Sequence, residues 1–227
     1  MTNRMYDDTV TWNPFKGCEW DCTYCVPSFQ RLAKMQKCED CKSYTPHTHR
    51  ERLDRIPKGG DMLFVCSSGD ICFCDHECTW SIICAIKDDP RTVLFQTKSP
   101  AFWSLFIPGL PENVLLGITL ETNRDEGYEK ISKAPPPVAR WTAFYRLNWP
   151  RKAVTIEPVM DFDLGVFSER IIDLRPEVVW IGYNSTRYAA PIPEPPAWKV
   201  NALIYELRQA EIEVRPKDLR GLEIPND

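Results

Sequence analysis

Three cysteines, Cys18, Cys22 and Cys25, fall within the stretch GCEWDCTYC at the spacing Cys-x3-Cys-x2-Cys. Structural zinc commonly takes four ligands, often from two separated Cys-x2-Cys pairs, and closes its coordination shell. A tight trio does not do that alone. Three thiolates from one short loop suit three corners of a 4Fe-4S cubane and leave the fourth iron without a protein ligand, open to a substrate or cofactor. The other readings of the trio are a share in a zinc site, or buried thiols.

The remaining thiols also crowd together, since all ten cysteines lie between Cys18 and Cys84. Cys38 and Cys41 form CEDC, followed closely by His47 and His49. That is a zinc signal, though the His-x-His spacing is shorter than the usual x3 to x5. Loops after consecutive strands of a parallel barrel are neighbours, so Cys38 and Cys41 are expected to meet two of Cys72, Cys74 and Cys78. Such a second site would hold zinc or an auxiliary iron-sulfur cluster. Cys84 reads as a small core hydrophobe on a helix face with Trp80 and Ile83.

Seven apolar, β-branched runs must position these groups: residues 8–12, 62–65, 92–96, 113–120, 153–158, 177–183 and 212–216. They read as strands buried on both faces, with helices between. One such helix is expected from Ser99 as N-cap and Pro100 at the first turn. Another places Val200, Leu203, Ile204 and Leu207 on one face. Strand-helix alternation implies a parallel sheet, and the strands are too few for a closed eight-stranded barrel, which leaves an open, partial barrel or a doubly wound sheet. In such folds the chemistry sits at the carboxyl ends of the strands. Those ends read CSSGDICFC, QTKS, TLETNRD, EPVMD and GYNST, rich in hydrogen-bonding side chains.

With 227 residues, 43% of them apolar, the chain is expected to form one domain, with a Cys-rich insertion at about residues 30–60. A net charge of −4 argues against a strong electrostatic grip on duplex nucleic acid. No window is apolar enough for a membrane span, and the amino terminus lacks the apolar core of a secretion signal. The expected location is the cytoplasm, where cysteines serve as ligands or free thiols rather than disulfides.

The Cys-x3-Cys-x2-Cys trio after the first strand, with Tyr24 beside the third cysteine, resembles the radical S-adenosylmethionine superfamily. The segments TWNPFKGC, FVCSSGDICF, LFQTKSPAF, ENVLLGITLETN, AVTIEPVMDFD and EVVWIGYNS are similar, in order, to a small phage-associated family of radical-SAM-like proteins of unassigned reaction. A fainter likeness runs to spore photoproduct lyase, which repairs a thymine dimer. The resemblance implies an α/β fold, a partial (β/α)6 TIM-like barrel. It implies Cys18, Cys22 and Cys25 as ligands of a 4Fe-4S cluster whose open iron chelates S-adenosyl-L-methionine. One electron, from a donor such as flavodoxin or ferredoxin, then yields a 5′-deoxyadenosyl radical that abstracts hydrogen from the substrate.

By the same resemblance Tyr24 lies beside the adenine, and Ser67, Ser68, Gly69 and Asp70 meet the methionyl amino group. Thr119, Glu121 and Asn123 reach the ribose or substrate, while Glu157 and Asn184 face the same cavity, with Glu121 and Glu157 as the catalytic carboxylates. The family usually has Ser where this chain has Gly69, and its members lack most of the surplus cysteines. The implied substrate is a nucleobase or nucleoside. The competing expectations are radical modification of a peptide or protein, and a non-catalytic, zinc-stapled binding module.

Overall fold

The computed structural model describes Tyr6 and residues 8–222. The reading of the amino terminus rests partly on residues 1–5 and 7, which lie outside the described residues. The strands are β1 (Thr9–Trp12), β2 (Phe15–Lys16), β3 (His47–Thr48), β4 (Met62–Val65), β5 (Thr92–Thr97), β6 (Val114–Thr119), β7 (Lys152–Ile156), β8 (Val178–Ile181) and β9 (Glu213–Pro216). Seven of them form one sheet in the order β1-β4-β5-β6-β7-β8-β9, and every neighbouring pair is parallel. All seven apolar runs supply strands of this sheet. β1 and β9 each have one neighbour, so the curled sheet stays open, as a partial barrel.

Sequential parallel order with right-handed crossovers puts the connecting helices on one face. These are α3 (His76–Ala85), α4 (Pro137–Arg146), α5 (Leu164–Asp173) and α6 (Ala197–Gln209). Val65, Val93, Leu116 and Val154 pack outward against buried helix residues such as Ile82, Phe144 and Ile171. Alternate residues point the other way, as the pleat requires. Phe64, Leu94, Leu115, Ala153 and Trp180 form an inner layer around Tyr6. Every residue of β6, β7 and β8 is buried, which explains why these strands lack polar alternation. Val200, Leu203, Ile204 and Leu207 seat α6, each stabilising the fold by about 1.5–3 kcal/mol.

Residues 13–61 leave the barrel and return. They carry a helical turn over Val26–Gln30 that runs into α1 (Arg31–Ala33), then α2 (Glu39–Ser43). The short antiparallel pair β2-β3 follows, with Phe15 opposite Thr48 and Lys16 opposite His47. Two expectations fail on the outer face. Residues 100–105 form a 3-10 rather than an α-helix, and Ser99 gives no side-chain cap; its backbone N–H instead donates to Thr97 Oγ1 at 2.9 Å, and Pro108 and Gly109 prevent the coil from lengthening. Cys84 is exposed, because only Ile83 of its supposed face turns inward while Trp80 stays half out. No helix among the described residues is long and apolar enough to cross a membrane.

Candidate active site

The loop after β1 is held against the loop after β4 by backbone alone. Gly17 N–H donates to Ser68 C=O and Asp70 N–H to Gly17 C=O, both at 3.1 Å. This approach leaves no room for side chains. A Cβ on Gly69 would sit 2.4 Å from Gly17 O, and one on Gly17, at φ +95°, 2.2 Å from Thr45 O. A serine at residue 69 would meet the cysteine loop, which passes directly over it.

Asp70 completes the joint, its carboxylate accepting from Trp20 Nε1 at 2.7 Å, Thr97 Oγ1 at 2.6 Å and the backbone N–H of Lys98 at 2.8 Å. A further bond at 3.2 Å from Cys72 N–H caps the turn at residues 71–73. Asp70 therefore clamps the cysteine loop, through Trp20, to the ends of β4 and β5. Each of its two oxygens thus accepts two hydrogen bonds from within the protein.

Above the joint lies a cavity of about 440 Å³, within the size range of small-molecule sites. Cys18, Cys22 and Cys25 all open into it, as do Tyr24, Ser67, Ser68, Gly69, Asp70, Thr119, Glu157 and Asn184. A hydrogen bond from the Cys25 thiol, aided by the Lys98 cation, overcomes burial and holds Cys22 down at about 5. Ser132 Oγ lies 3.1 Å from the same sulfur. Burial pushes the Cys18 thiol up.

Glu121 is not on the cavity wall. It is fully buried, with Oε2 accepting from Arg140 at 2.8 Å and Oε1 from Tyr24 at 2.5 Å and Tyr128 at 3.1 Å. Lys98 Nζ bonds both Glu121 and the Tyr24 hydroxyl. Burial alone would raise the Glu121 carboxyl, but Arg140 and then Lys98 outweigh it and hold the group well below the carboxylate range. Two cations thus meet on the Glu121 carboxylate behind the cysteines. In this arrangement Glu121 anchors Lys98 and Tyr24. Asn123 is likewise displaced: its Oδ1 accepts from Asp163 N–H at 2.8 Å, away from the cavity.

Glu157 does face the cavity, paired with Lys217 through Oε1 while its buried Oε2 lacks a partner. Burial raises its carboxyl, and Lys217 offsets only part of this. Asn184 lines the wall, but its amide is spent on Ala190 C=O at 2.7 Å and on Thr186 N–H at 3.0 Å, which fold the loop after β8. Sequence reasoning passes over Gln96, Lys98, Tyr183 and Lys217, which also line the cavity. Gln96 stands in the strand end QTKS, and its inward position follows from alternation with Phe95.

The surplus thiols separate into two groups rather than meeting in one. Cys38 and Cys41 lie with His47 and His49, all four donor atoms within 4.8 Å of one another, and Cys74 and Cys78 lie with Asp75 at the start of α3. Cys72 joins neither, sitting instead over Asp70. The shared site of Cys38 and Cys41 with Cys72, Cys74 or Cys78 is thus corrected: β3 comes between the groups, with Thr48 Oγ1 donating to Cys78 Sγ at 3.4 Å. A bond from the Cys74 thiol lowers Cys78 to about 7, against the burial that would raise it.

No protein-family model matches the chain, and no curated protein matches it. Solved structures do. A radical SAM methyltransferase from Sphaerobacter thermophilus superposes with TM-score 0.59 at 16% identity, over 96% of this chain and 69% of that one. Spore photoproduct lyase, with bound AdoMet and a dinucleoside spore photoproduct, gives 0.63 at 12% identity, over 91% and 75%. SuiB of Streptococcus suis, bound to its precursor peptide SuiA, gives 0.62 at 9% identity, over 95% of this chain and half of its own. At these identities the likeness is one of fold, and the curled parallel sheet is the partial TIM-like barrel that radical SAM enzymes use.

Proposed function

We infer that the chain is a radical S-adenosylmethionine enzyme, a single domain that binds a 4Fe-4S cluster through Cys18, Cys22 and Cys25. One observation carries this: in a fold shared with such enzymes, three thiols of one loop open into one cavity at the carboxyl ends of the strands. The donor set fits the group, since three cysteine sulfurs from one short loop suit three corners of a cubane and all three face the same cavity. When bound, cluster and S-adenosylmethionine supply one-electron chemistry that abstracts a hydrogen atom, with the electron coming from a small donor protein.

The residues of the chain bind, orient and exclude water. Asp70 fixes the cysteine loop through Trp20. Lys98, held by Glu121, sets a cation at the cavity wall beside the thiols. Ser67, Ser68 and Thr119 offer hydrogen bonds to a cofactor, and Tyr24 presents its ring there while Glu121 holds its hydroxyl. Glu157, with a raised carboxyl and a free oxygen, is the residue placed to hold or take a proton at a substrate.

The proposed substrate is a nucleobase or nucleoside. The fold match to a lyase holding a dinucleoside supports this, as do the neutral hydrogen-bonding groups Gln96, Thr97, Thr119 and Thr186 on the wall. The test is anaerobic reconstitution with iron and sulfide, reduction, and measurement of 5′-deoxyadenosine. Production should require each of Cys18, Cys22 and Cys25. Full iron content with undiminished 5′-deoxyadenosine in Cys22→Ala would sink the reading.

A further inference from the structure

We propose that Cys38, Cys41, His47 and His49 form a closed, structural zinc site. The two cysteines are one turn apart, Cys38 as N-cap of α2 and Cys41 within it. The two histidines are alternate residues at β3, which aims both rings the same way. Cys41 Sγ lies 3.3 Å from His47 Nε2 and 3.2 Å from His49 Nε2, Cys38 Sγ 3.6 Å from His47 Nε2, and the two Nε2 atoms 2.9 Å apart. A tetrahedron with zinc–sulfur bonds of ~2.3 Å and zinc–nitrogen bonds of ~2.0–2.1 Å has edges of about 3.3–3.8 Å. The four donors already stand near those edges.

The outer nitrogens fix the tautomers. His47 Nδ1 lies 2.7 Å from Thr45 C=O and His49 Nδ1 3.0 Å from a Glu51 carboxylate oxygen. A carbonyl and a carboxylate only accept, so each Nδ1 carries the proton and each Nε2 turns a lone pair inward. Two thiols can donate one proton each to those nitrogens, yet the close nitrogen pair then remains repulsive. A central cation satisfies all four donors at once. A hydrogen-bonded outer nitrogen is also the support that ligating histidines ordinarily have. Two sulfurs and two nitrogens in tetrahedral array select zinc, and four protein ligands close the shell.

The site bears on the cavity through the chain between its ligands. Tyr44 C=O accepts from Cys18 N–H at 3.1 Å, and Thr45 lies against Gly17. By pinning α2 to β3, the metal holds the segment on which the cysteine loop rests.

The test is metal analysis of protein produced with zinc present, with X-ray absorption at the zinc edge. The expected result is about one zinc per chain, with two sulfurs at ~2.3 Å and two nitrogens at ~2.0–2.1 Å. Zinc should persist in the Cys18→Ala/Cys22→Ala/Cys25→Ala variant, so that this site stands or falls apart from the proposed reaction. It should be lost from His47→Ala/His49→Ala. Protein without zinc, undiminished zinc in the double variant, or iron retained at this site in the triple variant overturns the proposal. If the double variant does not fold, cobalt(II) added to chelator-treated wild-type protein decides. Tetrahedral bands with thiolate charge transfer, displaced by zinc, support the site, and their absence overturns it.

Discussion

Asp70 shows how far a side chain's role departs from its motif. The motif it resembles implies a cofactor contact, and its bonds to Trp20, Thr97 and Lys98 make it the fastener of the cysteine loop. Asp70→Ala should therefore lower iron retention as well as cofactor affinity. Each lost bond to the charged group is worth about 1.5–3 kcal/mol. Iron content well below wild type after identical reconstitution is the expected outcome; full iron with only weaker cofactor binding would restore the motif's role. Glu121 makes a second prediction. Its carboxyl is held low by Arg140 and Lys98, so its contribution to stability is present above the ordinary carboxylate range, near ~4.3, and fades as pH falls below it. Glu121→Gln, which leaves Lys98 and Arg140 without their counter-charge, should lose about 3–5 kcal/mol at neutral pH and show a flatter acid limb in urea unfolding.

At the scale of elements, the crossing of two loops over Gly17 and Gly69 is a point of very close backbone approach. Gly69→Ser, which installs the residue common in the resembling family, drives a Cβ into Gly17. Such overpacking costs about 1–3 kcal/mol, so the thermal midpoint should fall and the cysteine loop should bind its metal less well. An unchanged midpoint would show that the loop moves aside freely. The strands are legible because burial on both faces writes itself as unbroken apolar runs, as in β6. Lys98 is not, since a lysine at a strand end reads as solvated until tertiary structure supplies Glu121. His47 and His49 give a weak signal in sequence because the expected x3 to x5 spacing belongs to ligands on a helix. On a strand, residues two apart share a face, so x1 is the spacing that brings both rings to one centre. The Ser99 segment misleads because a Ser-Pro start fits a 3-10 turn as well as an α-helix.

For the molecule as a whole, charge and cavity size point the same way. A net charge of −4 offers little to a phosphate backbone, whereas a 440 Å³ cavity admits a nucleoside-sized ligand. A fluorescently labelled duplex at about 0.15 M salt should bind no tighter than ~10⁻⁶ M, the strong end of non-specific binding. Nucleosides or dinucleosides should raise 5′-deoxyadenosine output instead. Submicromolar duplex binding would move the substrate proposal to long nucleic acid. The inner layer adds a kinetic consequence. Tyr6 packs edge-on to Phe64 and Trp180, and its hydroxyl bonds Gln96 at 2.6 Å, closing the barrel floor beneath the cavity. A ligand in the cavity is then kept from leaving past these rings, and its way out lies on the side of the strand-end loops.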